Sequence, residues 1–168
     1  RYCCNLETIM KKYLKLALTA ALALPLVATT AIAQNYNLRP SYGAISLQAG
    51  FLPDPRTRSM RAGEDHHFMG GGGCPGGAWF ANAPDYRLHY RAGGYALSFY
   101  VRAPGDTAML VNDPTGTWYC NDDYQGLNPG VVFNNPRSGQ YDVWLGTYNR
   151  SRVGNSVLYI TEMGAFSR

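Results

Sequence analysis

The sequence predicts an all-β protein, a single antiparallel, jelly-roll-like β-sandwich domain. Three observations carry this expectation. Helical periodicity is almost absent after Ala33. Short runs rich in β-branched and aromatic residues recur, separated by Gly, Pro, Asn and Asp. Apolar residues within those runs alternate with polar or small ones, the period of a strand with one buried face. Many short strands at this spacing point to a sandwich rather than to alternating βα units.

Strands are expected at 43–47, 56–62, 86–91, 95–102, 108–112, 117–120, 131–134, 140–147 and 156–162. The turn signals between them are "PDP" at 53–55, "AGG" at 92–94, "APGD" at 103–106, "DPTG" at 113–116, "NPRSG" at 135–139 and "NRSRVGN" at 149–155. Within "YALSFYV", Tyr95, Leu97, Phe99 and Val101 share one face. Within "QYDVWLGT", Tyr141, Val143 and Leu145 share one face, with Gln140, Asp142 and Trp144 on the other. "RAGGYALSFYV" reads as a hairpin, because Gly93 and Gly94 can supply the positive φ angles of a tight turn. "MGGGGCPGGAW" at 69–79 reads as a glycine-rich loop pinned by Cys74. A phosphate-binding loop would end in Gly-Lys-Ser/Thr and lead into a helix, and neither follows here.

The N-terminus has its own pattern. Lys11, Lys12 and Lys15 precede an apolar run from Leu16 to Val27, and Ala31-Ile32-Ala33 fits a small-residue cleavage site. Residues 10–33 therefore read as a secretory signal peptide cut after Ala33. The apolar run is short for a membrane span, which needs about 20 residues. Residues 1–9 read as translated upstream sequence or a misassigned start. Residues 34–168 would be the mature domain, exported to a periplasm or beyond the cell.

That cleavage changes the charge. The 15 basic and 11 acidic residues of the chain fall to 11 and 10 once Arg1, Lys11, Lys12, Lys15 and Glu7 are gone. A near-neutral domain without lysine offers no electrostatic footprint for nucleic acid, and no basic amphipathic helix is present for a membrane surface. Cys74 and Cys120 remain after processing. In an exported protein such a pair forms a disulfide, worth roughly 3–4 kcal/mol by chain entropy. Zinc, with help from Asp65, His66 and His67, is the competing reading.

"GTWYCNDDYQGLNPG" at 116–130 carries the main chemical question. Asn121, Asp122, Asp123 and Asn128 provide hard oxygen donors, and Asp106 would approach them if the neighbouring strands form a hairpin. Calcium takes six to eight such oxygens. The spacing is not that of an EF-hand. The alternative is an Asx-rich turn whose side chains bond their own backbone. A paired-carboxylate enzyme is disfavoured, because adjacent strand residues point to opposite faces. A serine hydrolase needs Ser, His and an acid together. His66, His67 and His89 are the histidines at hand, and no serine lies in a Gly-x-Ser-x-Gly elbow.

The segment from Tyr95 to Tyr148 resembles the bacterial pre-peptidase C-terminal (PPC) domain family. The carrying residues are Asp106-Thr107, Asp113-Pro114-Thr115-Gly116, Asn121-Asp122-Asp123 and Ser138-Gly139-Gln140-Tyr141, in the family's order and spacing. "YGAISLQAGFLPDP" looks like the front half of small secreted relatives. The resemblance implies a secreted jelly-roll-like sandwich without catalytic activity, often attached to peptidases, and sometimes calcium-binding. It implies Asp106, Asn121, Asp122 and Asp123 as calcium ligands. No peptidase domain precedes the segment here, so the expectation is a stand-alone member. The expected function is a non-enzymatic module, steadied by calcium, that binds an extracellular protein or polysaccharide. A small secreted hydrolase and a self-assembling surface or matrix protein are the alternatives.

Overall fold

The computed structural model describes residues 34–69 and 74–167. The expected signal peptide, residues 10–33, lies outside them, as do residues 1–9. Eleven strands form, and the described residues contain no helix. They are β1 (Ala44–Gln48), β2 (Arg56–Ala62), β3 (His66–Phe68), β4 (Ala78–Phe80), β5 (Tyr86–Arg91), β6 (Leu97–Arg102), β7 (Ala108–Asn112), β8 (Trp118–Asn121), β9 (Gly130–Phe133), β10 (Gly139–Gly146) and β11 (Val153–Thr161).

Two sheets make the sandwich. One has the order β1-β5-β10-β7-β8 and the other β2-β11-β6-β9. Every pairing in them is antiparallel except β1 with β5, which is parallel. Alternation builds the space between the sheets. Leu88, Tyr90, Met109, Val111, Tyr141, Val143 and Leu145 enter it from the first sheet. Met60, Ala62, Leu97, Phe99, Val101, Val131, Leu158 and Ile160 enter it from the second. The inward set of β10 is the expected Tyr141, Val143 and Leu145. On β6 the inward set is Leu97, Phe99 and Val101, while Tyr95 precedes the strand and is exposed.

The expected hairpin at Gly93-Gly94 does not form. β5 lies in the first sheet and β6 in the second, so the segment between them crosses the sandwich edge. Neither glycine has a positive φ. The apolar period was right for both strands, but period alone does not say which strands pair.

A small two-stranded flap, β3 with β4, is the element that the sequence reading did not resolve. It lies on the outer face of the first sheet. Phe80, Ala78 and Cys74 pack there against Ala108, Leu110, Cys120 and Trp144 as a second core. Gly146 makes this approach feasible, since a Cβ there would stand 2.5 Å from Phe80 Cδ1 and from the Trp79 carbonyl oxygen. The Cys74–Cys120 disulfide forms, and it ties the flap's base to edge strand β8. The outer face of the second sheet is closed by aromatics. Tyr100 stacks on Tyr159 and meets Phe166, with the Arg102 guanidinium over all three rings.

Asp85 stitches strands together at the start of β5. Its N–H donates to Val143 O, its carbonyl accepts from Tyr42 N–H, and its Oδ2 accepts from Leu145 N–H at 2.7 Å. It is buried. Burial pushes its carboxyl up to about 7, against the opposing Leu145 N–H, with a smaller push from Glu64.

Candidate functional site

The "NDD" turn gets its shape from what surrounds it. Before β8, Asp113 closes the "DPTG" turn. Its Oδ1 accepts from Thr115 N–H, Thr115 Oγ1–H and Thr117 N–H. β8 then pairs with β7 and carries Cys120 to the disulfide. The chain leaves the strand at Asn121, whose Oδ1 accepts from Gly130 N–H at 2.9 Å and so joins the end of β8 to the start of β9. The loop between those strands folds on itself, with Tyr124 and Gln125 N–H both donating to Asn128 O. Asn128 Oδ1 accepts from Ala103 N–H at 2.8 Å, and Leu127 O accepts from Thr107 N–H. These two bonds hold the loop on the β6–β7 connection, which carries Asp106.

The result is a cleft of about 240 Å³ lined by Asp106, Asp122, Asp123, Pro75 and Tyr148. The sequence proposed five metal-ligating residues. Three carboxylates of that set share this cleft. The side-chain oxygens of Asn121 and Asn128 are instead committed to backbone N–H groups, as loop clamps. Among the described residues, no group of three or more His, Cys, Asp or Glu side chains is arranged to hold a metal ion. Pro75 and Tyr148 were not anticipated. Pro75 follows Cys74, so the disulfide itself brings it to the wall of the cleft. Tyr148 lies just past the end of β10.

The electrostatics of the cleft are those of crowded acids. Burial raises the Asp106 carboxyl, and the charges of Asp123 and then Asp122 raise it further. Burial raises Asp122 as well. The backbone N–H of Asp122 opposes that shift, Asp123's charge adds to it, and the Asp123 N–H opposes it. No basic side chain lines this cleft. Its donor set is oxygen only, which is the chemistry of a hard cation. Besides the three carboxylates it presents the Tyr148 hydroxyl. None of the three histidines borders it. His66 and His67 lie on the flap, where His67 meets Trp79 with ring centroids 4.5 Å apart, and His89 is exposed on β5.

No family model matches the sequence, and no curated protein does. Among solved structures, the chain is similar to the crystal structure of Aeromonas hydrophila PliG, a periplasmic lysozyme inhibitor of g-type lysozyme. The identity is 13%, over 70% of this chain and 96% of that one, with a TM-score of 0.30. A likeness at that level carries no argument about what this chain does.

Proposed function

We infer that this protein is an exported, non-catalytic binding module of the pre-peptidase C-terminal type. It engages a protein or polymer outside the cytoplasm, and a calcium ion that draws Asp106, Asp122 and Asp123 together across their shared cleft steadies it. The observation that carries the calcium reading is the gathering of these three carboxylates in one cleft without a basic side chain to balance them. Asn121 and Asn128 contribute indirectly, by fixing the loop that carries two of the three acids.

The sign of the electrostatics supports a bound cation. A carboxyl whose value is raised on folding contributes stability below its unfolded value and loses it as pH rises through the folded one. Once ionised, Asp106 and Asp122 therefore oppose folding, through burial first and mutual repulsion second, and a divalent cation offsets both. The disulfide beside the cleft fixes one wall and reduces the ordering that a bound ion must impose.

The test is thermal unfolding of the purified, oxidised protein in EDTA and then in calcium. Calcium at a hundredfold excess over its dissociation constant should add about 2.7 kcal/mol. Asp122→Ala and Asp123→Ala should abolish that gain. In EDTA the same variants should be no less stable than wild type, because each removes a repelling charge. An equal calcium response in wild type and variants, or none in either, removes the metal from the cleft.

A further inference from the structure

The flap covers only part of the first sheet's outer face. At the far end of β7 lies an open cleft of about 450 Å³. It lies roughly 20 Å from the aspartate cleft, because seven residues at about 3.3 Å each separate Asp106 from Asp113. We propose that this second cleft is a binding site for a neutral saccharide. This deepens the binding-module reading, on which it rests, by naming the chemical class of the polymer.

Three features argue for a saccharide. The first is a polar floor built across strands. Register places Asp142 and Asn112 side by side on β10 and β7, with Arg87 beside Asp142 on β5, behind the lining of the cleft. Asp142 and Asn112 are buried, as is Asp113 beside them. Arg87 Nε donates to Asp142 Oδ1 at 2.7 Å, and Gln140 Nε2 donates to Asp142 Oδ2 at 2.6 Å. Gln140 is thereby oriented, with its carbonyl oxygen left to accept from a ligand.

The second feature is an aromatic wall attached to that floor. Tyr36 lines the cleft and is 43% exposed. Arg87 Nη2 donates to the Tyr36 carbonyl, so the guanidinium that neutralises Asp142 also anchors the tyrosine. The Tyr36 ring also meets Trp118, tilted by 49° with 6.3 Å between centroids. A supported, half-exposed ring over a hydrogen-bonding floor suits the apolar face and hydroxyl edge of a sugar.

The third feature is the mix of donors and acceptors in a lining that holds no basic side chain, His89 and Arg91 lying in the neighbouring cleft across Gln140. Ser138 Oγ accepts from Ala92 N–H and keeps its own O–H to donate. Thr115 and Gln140 also line the cleft, and no Lys, Arg or His does. Asp113 repels an acidic sugar, and Asp142 is already neutralised by Arg87. Gly139 permits close approach here. Its φ is +143°, and a Cβ there would stand 2.6 Å from Pro114 Cβ.

The experiment is calorimetric titration of the oxidised protein with cellohexaose, chitohexaose and maltohexaose, each at millimolar concentration. At least one should bind. Tyr36→Ala should weaken it about tenfold, a stacking contribution, while Tyr36→Phe keeps it. Gln140→Ala should weaken it about fivefold, the loss of one hydrogen bond. Both positions carry solvent-accessible side chains, and near-ultraviolet circular dichroism checks that the variants fold. No binding by any of the three overturns the proposal, as does binding that Tyr36→Ala and Gln140→Ala leave unchanged. Binding of a lysine-rich peptide in place of the sugars, abolished by Asp113→Asn, would assign the cleft to a basic protein partner instead. In that case the calcium response of the distant aspartates persists, and the module reading stands without the saccharide.

Discussion

Asp85→Asn offers the sharpest test of the energetics. Asp85 is 4% exposed, and its carboxylate has one strong partner, Leu145 N–H. Its value rises from an ordinary 3.8 to about 7 on folding, chiefly through burial. The contribution is therefore fully present below the unfolded value and is lost as pH rises through the folded one. About three pH units separate the two values, and at about 1.4 kcal/mol each they amount to about 4 kcal/mol. Asparagine keeps an acceptor for Leu145 N–H and cannot ionise. Urea unfolding across the range should give similar stabilities for both proteins near the acid end. Above about pH 8 the variant should be the more stable by about 4 kcal/mol. Two parallel stability curves between those limits would refute the argument, because the carboxyl would then titrate alike in both states.

Other expectations follow from the second core. Gly146→Ala should cost about 1–3 kcal/mol or more by overpacking, since the new Cβ meets Phe80 Cδ1 and Trp79 O at 2.5 Å. The urea midpoint reads this directly. Joint replacement of Cys74 and Cys120 by alanine should cost roughly 3–4 kcal/mol. It should also weaken any calcium response, because Pro75 then loses its fixed place beside the aspartates.

Strand positions were legible because each inward residue leaves a period-two mark. β5 alternates between buried side chains and more exposed ones, with Arg87 half-buried. The pairing of those strands was not legible. The parallel β1–β5 pair and the crossing from β5 to β6 depend on contacts between segments far apart in sequence, and Gly93-Gly94 carries the same local signal for a hairpin as for a crossing. The flap was hidden for a different reason. β3 and β4 have three residues each, too few to display a period. Their reason for being strands is Trp144 and Leu110 beneath them. The grouping of Asp106 with Asp122 and Asp123 followed from the expected strand order. The commitment of the Asn121 and Asn128 oxygens did not, because amide oxygens serve ions and backbone N–H groups equally well. Tyr36 gave no sign of its place, since its partner Arg87 lies 51 residues away.

The two cores also divide the chromophores. The protein has three tryptophans. Trp144 lies in the small core, Trp118 packs against it, and Trp79 belongs to the flap strand β4. The large core holds tyrosines instead, with Tyr90 and Tyr141 inside it. Indole emission therefore follows the flap and its disulfide, while far-ultraviolet circular dichroism follows the strands of the two sheets. A single optical trace cannot stand for the whole molecule, and any difference between the two signals measures how far the flap comes away before the sandwich does.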